Sequence, residues 1–185
     1  YEINKAGLKE QNIFQDVFVV EKNMTIQDDE SGSEIVLLPN KKLSITTLID
    51  YGTKALGSQN AVLNNIEDFP NEIASSRTFS LLSELEILIN QNLIKGGNLD
   101  NSVVYIDKLI DNTSLDKLKN LFNKDKLIIK ENGIVNNIEL NNSNEAARHK
   151  LLDFIGDISL TGMPIQGKII ASKPGHKINV DFAKE

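Results

Sequence analysis

This 185-residue chain holds only two histidines and two arginines, and one of each stands side by side in NEAARHKLLDFIGD, residues 144–157. His149 and Asp153 are four apart, the spacing that sets two side chains one above the other on a helix. A neutral imidazole and a carboxylate so placed can share a zinc ion, which takes nitrogen and oxygen ligands at about 2.0–2.2 Å. The same couple on a solvated helix face also makes an ordinary ion pair. Two ligands fall short of the three a catalytic zinc normally takes from its protein. Asp157 follows one turn on. The second histidine, His176, lies in KPGHKIN, and the second arginine, Arg77, in SSRTF.

A helix must present these residues. At 100° per residue, Leu151, Phe154, Ile155 and Ile158 form one apolar stripe, the core face. His149, Asp153, Gly156 and Asp157 fall on the other side. Asn144 stands where an N-cap belongs, and Gly156 leaves space for a close approach. Around this helix, YEINKAGLKEQ reads as the end of a helix stopped at Gly7. DVFVVEK, SEIVLLP, KKLSITTLID and SQNAVLNNI read as strands, with DDESGS as turn. EDFPNEIASS is a short helix with Pro70 in its first turn.

SLLSELEILINQNLI has helical apolar spacing at Leu81, Leu82, Leu85, Leu88 and Ile89. KGG ends it and SVVYID follows as a strand. SLDKLKNLFN is a helix capped by Ser114, KLIIKENGIVNNIEL a hairpin around ENG, GKIIAS a strand, and the tail from Pro174 helical. Strands broken by helices without regular alternation predict an α+β fold: a two-layer sandwich of a mixed sheet against helices.

Composition narrows the function. The chain is long enough for one ordinary domain with a sizeable core. A net charge of −6 and scarce arginine argue against nucleic acid. No cysteine is present, so thiolate metal sites and disulfides are excluded. No apolar run spans a bilayer. These features are compatible with a cytoplasmic setting. The first residue is Tyr1 rather than Met, which suggests a piece of a longer protein.

RTF, GGNLDNSVV, ARHKLLDFIGDISLTGMPIQG and PGHKIN occur in the order and near the spacing of the UDP-3-O-acyl-N-acetylglucosamine deacetylases (LpxC), zinc enzymes of lipid A synthesis in Gram-negative bacteria. The resemblance runs over nearly the whole chain and corresponds to the C-terminal half of the family. VVEK, LIDY and LIKGG are most similar to the Bacteroidetes branch, where a hydroxyacyl-carrier-protein dehydratase is often fused downstream. The resemblance implies that residues 1–12 end a preceding N-terminal domain and residues 13–185 form the second domain. A βαβ insertion falls at about residues 80–107.

It also implies roles. His149 and Asp153 match two of three zinc ligands. The third ligand, a histidine beside the glutamate taken as general base, belongs to the first domain, upstream of Tyr1. The isolated chain is therefore expected to be inactive. His176 matches a protonated histidine that assists the reaction, and Asp157 the carboxylate that orients it. Thr78 matches a hydroxyl that helps hold the substrate carbonyl, Phe79 the ring under the sugar, and Lys150 a contact to the diphosphate. Leu82, Leu85, Ile94, Leu99, Ser102 and Val104 match positions lining a tunnel for the substrate's acyl chain, although an ordinary core would also account for the leucines and Val104. The implied function is a zinc-dependent deacetylase acting on an acylated UDP-amino sugar. The alternative is a non-catalytic domain of the same fold that retains the sugar-nucleotide and acyl surfaces.

Overall fold

The computed structural model describes residues 2–91, 101–129, 131, 133–135 and 138–185. In chain order the elements are α1 (Glu2–Ala6), β1 (Phe18–Val19), β2 (Met24–Asp28), β3 (Ser33–Leu38), β4 (Ser44–Asp50), β5 (Ser58–Leu63), α2 (Phe69–Glu72), β6 (Thr78–Leu81), α3 (Leu82–Asn90), β7 (Ser102–Tyr105), α4 (Asn112–Phe122), α5 (Glu145–Ile158), β8 (Ile165–Gln166), β9 (Lys168–Ser172) and α6 (His176–Lys184). The expected α+β class holds.

A mixed five-stranded sheet in the order β2-β3-β9-β4-β5 carries the fold. Only β4 and β9 run parallel; the other neighbours are antiparallel. Alternation turns two rows inward: Met24, Leu37, Ile169, Ile45 and Leu63, then Ile26, Ile35, Ala171, Thr47 and Ala61. Helix α5 packs over β4 and β5, and α6 over β2 and β3 beside it. The expected stripe does this: Leu151, Phe154 and Ile158 are buried in the main core, with Ile155 at its margin. Burying such side chains contributes roughly 1.5–3 kcal/mol each.

Polar bonds fix the first turns of α5 on the sheet. Thr47 Oγ1 donates to the Ala147 carbonyl at 3.0 Å inside the core, and Asn144 Nδ2 donates to the Asn60 carbonyl at 2.7 Å. Asn144 does occupy the N-cap position, but its side chain makes no cap bond. Its amide is drawn across to β5, and its oxygen accepts Arg148 Nε at 2.8 Å.

Strands β6 and β7 form a separate parallel pair with α3 between them, the expected βαβ unit. The register pairs Thr78 with Ser102, Phe79 with Val103, Ser80 with Val104 and Leu81 with Tyr105. One face of the pair therefore bears Thr78, Ser80, Ser102 and Val104, and the other bears Phe79, Leu81, Val103 and Tyr105. Leu81, Val103 and Tyr105 join the main core with Phe79 packed against it. Leu82, Leu85 and Val104 instead build a second cluster with Leu118 and Phe122 of α4, and with Leu127 and Val135. The side chains of Leu88 and Ile89 lie outside the described residues.

Several local expectations shift. Asp111, not Ser114, caps α4, its carboxylate accepting the Ser114 backbone N–H at 2.7 Å. Of DVFVVEK only Phe18–Val19 pairs, in parallel with β8. One edge of the sheet is instead formed by β2, whose alternate exposed Thr25 and Gln27 hide its apolar face in the sequence. Gly7 does end α1, with a φ of 87°. Among the described residues no helix is long and apolar enough to cross a membrane.

Candidate active site

Helix α5 supplies His149, Lys150, Asp153 and Asp157 from the side away from its apolar stripe. Around His149 that side is covered by β6 and the turn before it, while Asp157 is covered by the start of α6. The side chains of His149, Asp153 and Asp157 are only 15–16% exposed. His149 Nδ1 stands 3.2 Å from the Ser76 carbonyl. A carbonyl only accepts, so Nδ1 carries a proton, and in the neutral imidazole the lone pair lies on Nε2. A backbone carbonyl behind an imidazole is the usual way a protein fixes the tautomer of a metal ligand.

His149 Nε2 faces Asp153 Oδ1 at 3.4 Å. That separation is long for an N–H···O hydrogen bond. It equals the edge of a tetrahedron whose centre lies ~2.1 Å from both atoms, the bond length zinc prefers. The other carboxylate oxygen is engaged by Lys150 Nζ at 3.2 Å, which leaves Oδ1 for the imidazole side. The donor set therefore fits half of a zinc site. Among the described residues no third histidine, cysteine or carboxylate joins the pair.

Phe79 lies at the centre of these groups. Its ring meets His149 edge-on at 6.3 Å, Tyr51 at 5.5 Å and Tyr105 at 6.1 Å, and Lys150 Nζ sits 5.7 Å from its centroid. Burial first, with Glu84 and Asp153 nearby, pushes the Tyr51 hydroxyl up to about 12, so it stays a neutral phenol. An added methyl at Gly156 meets nothing within 4 Å, so α5 is open to close approach there.

One turn beyond Asp153, Asp157 Oδ2 accepts from His176 Nδ1 at 2.8 Å. His176 opens α6, and its side chain is 70% exposed with Nε2 turned away from the carboxylate. The structure thus gathers Phe79, His149, Lys150 and Asp153 into one contact group and joins Asp157 to His176. Thr78 is exposed at the start of β6, on the opposite face of that strand from Phe79. It shares this face with Ser102, which is half-buried, and the face continues into Leu82, Leu85 and Val104. Ile94 and Leu99 lie outside the described residues.

A family model described as UDP-3-O-acyl N-acetylglycosamine deacetylase (LpxC) matches residues 1–126 and 117–185. The chain belongs to this deacetylase family. Its relatives include the bifunctional enzyme LpxC/FabZ of Bacteroides thetaiotaomicron, 39% identical over all of this chain and 40% of that protein. The bifunctional LpxC/FabZ of Porphyromonas gingivalis is 40% identical over 99% of this chain and 40% of its own length. The UDP-3-O-acyl-N-acetylglucosamine deacetylase of Syntrophus aciditrophicus is 34% identical over 97% of this chain and 49% of its own. The chain thus spans about two fifths to one half of these curated relatives.

Both arginines prove to be clamps around the deacetylase helix α5. Arg77 Nε donates to Glu145 Oε1 at 2.8 Å and its Nη2 to Oε2 at 3.0 Å. The Arg77 backbone N–H reaches the same carboxylate at 2.9 Å and that of Asn141 at 2.7 Å. Burial pushes the Glu145 carboxyl up, but Arg77 and the two backbone donors outweigh it and hold it below the usual range. This clamp joins the first turn of α5 to the residue before Thr78 and Phe79. Arg148 makes a looser contact, its Nη1 lying 2.8 Å from the carboxylate of the half-exposed Glu72. The arginines are rare in the sequence, but their partners lie 68 and 76 positions away, beyond any local spacing signal.

Proposed function

We propose that this chain is the second domain of a zinc-dependent deacetylase that removes the N-acetyl group of UDP-3-O-(hydroxyacyl)-N-acetylglucosamine in lipid A biosynthesis. Residues 13–185 form that domain and residues 1–12 end the one before it. The observation that carries this reading is the His149–Asp153 pair, its Nδ1 proton fixed by Ser76, on a helix whose next turn carries Asp157, the acceptor for His176 of α6. Family membership supports the substrate. A cytoplasmic setting accords with that substrate.

His149 Nε2 and Asp153 Oδ1 would hold the zinc, with a histidine from the first domain as third ligand. When bound, zinc supplies Lewis-acid polarisation of the amide carbonyl and an acidified water. The remaining chemistry belongs to side chains. His176 in its charged form balances the developing oxyanion and gives a proton to the departing amine nitrogen. Asp157 holds Nδ1 so that Nε2 faces the substrate. Thr78 donates a hydrogen bond to the oxyanion, a kind of contact worth roughly 3–4 kcal/mol in ordered sites. The Phe79 ring packs against the sugar, and Lys150 offers its charge to the diphosphate. Ser102 marks the mouth of an acyl tunnel, with Leu82, Leu85, Ile94, Leu99 and Val104 as its wall. Each buried methylene contributes roughly 0.8 kcal/mol of affinity. The bifunctional LpxC/FabZ relatives support a fused dehydratase downstream as a partner.

The reading is tested by acetate release from the acylated nucleotide sugar in the full-length protein. Activity should vanish with a chelator and return with zinc. Turnover that is indifferent to chelation would overturn it. The tunnel has its own test. Ser102→Phe should sharply lower kcat/KM for a long-chain substrate and spare a short-acyl analogue. If the cluster is closed core, over-packing costs about 1–3 kcal/mol. Both substrates would then suffer equally and the melting temperature would fall.

A further inference from the structure

Asn179 lies one turn after His176 on α6 and is 1% exposed. Its Nδ2 donates to Asp157 Oδ2 at 2.8 Å, the same oxygen that receives His176 Nδ1 at 2.8 Å. We propose that Asn179 is a positioning residue for the deacetylation, acting through Asp157 to hold His176 aimed at the substrate. This rests on the role given above to His176.

Three observations carry it. First, a carboxylate can only accept, so the amide nitrogen must face Asp157. That orientation sends Asn179 Oδ1 into the interior, where among the described residues it finds no donor. A buried acceptor without a partner is destabilising, and an apolar side chain of the same size would avoid it. The fold keeps the polar group nonetheless, and its hydrogen-bonding side chain reaches Asp157.

Second, the two donors differ in exposure. The His176 side chain is 70% exposed, so packing alone does not hold the imidazole. Its orientation depends on Asp157, and Asp157 is the last titratable group on the site face of α5. A carboxylate bonded only by a mobile imidazole would share its motion. With a buried amide one helical turn away on the same oxygen, the carboxylate has a rigid reference.

Third, the spacing is economical. Residues three apart on one helix face reach a common point, so the first turn of α6 delivers both donors from one rigid element. The backbone N–H of Asn179 bonds the Gly175 carbonyl at 3.0 Å, so this turn is itself closed.

The test uses the full-length, zinc-loaded protein with histidine labelled in nitrogen-15. Asn179→Leu removes the amide while keeping the volume. The downfield N–H proton signal of His176, assigned by its absence in His176→Ala, should broaden or vanish. Meanwhile kcat should fall about tenfold or more, with KM within about twofold and the melting temperature held or raised. If Leu is not accommodated, Asn179→Ala is read in the same way. A folded variant that keeps both the His176 signal and wild-type kcat overturns the inference. Unchanged kcat in His176→Ala would instead overturn the role of the histidine, so the two failures are separable.

Discussion

Glu145→Ala is expected to remove about 3–5 kcal/mol of stability, the usual cost of breaking a buried ion pair from one side. Glu145 is 1% exposed and Arg77 about 20%. The carboxylate accepts from the Arg77 guanidinium, from its backbone N–H and from that of Asn141. Truncation strands a cation and two backbone donors at once. It also frees β6 from the N-terminus of α5, where an acidic side chain is favoured by the helix dipole. Urea unfolding of the variant checks this, and a change below about 1 kcal/mol would show that the clamp is ornamental.

The pH dependence follows from the same group. The folded Glu145 carboxyl lies below its ordinary value. Its contribution is therefore present above the unfolded carboxyl range near pH 4.5 and is lost as pH falls through the lower folded value. Wild type should lose stability across that acid window, and Glu145→Gln should show a flatter profile.

His176→Ala in the full-length enzyme carries the second large effect. General acid groups contribute typically 10²–10⁴-fold to rate, so kcat should fall at least about a hundredfold. KM should change little, because the charge of the imidazole matters most once the oxyanion forms. Lys150→Ala should show the reverse pattern, a raised KM with kcat nearly kept. Steady-state kinetics on the nucleotide sugar separate the two. Unchanged kcat in the His176 variant would remove the imidazole from the mechanism.

Much of this was legible in the sequence because it is local. The stripe Leu151–Phe154–Ile158 and the i, i+4 pair His149–Asp153 are periodicities within one helix, and α5 presents them as the spacing predicts. Strands β3, β4 and β9 declare themselves by β-branched runs, whereas β5 (SQNAVL) carries only Val62. What stayed hidden depends on distant partners. Helical spacing places the polar side of α5 away from the core, where it lies, but carries no sign of β6, which packs against it beside His149. Residue type makes Asn144 a cap, whereas Asn60, 84 positions away, takes its amide. Glu145 looked like a first-turn acid, and only the fold brings Arg77 to it. Asn179 carried no signal at all, since a lone asparagine on an apolar helix face names no partner.

His149 and Asp153 are proposed as two of three ligands to one zinc ion. Zinc affinity by chelator competition, compared between the 185-residue chain and a form extended at its N-terminus to the length of its deacetylase relatives, tests it most directly. The short chain should bind zinc weakly. The extended protein should bind one ion tightly and lose that affinity in His149→Ala and in Asp153→Ala. Tight binding by the short chain, or tight binding by the extended protein that survives either substitution, would contradict it.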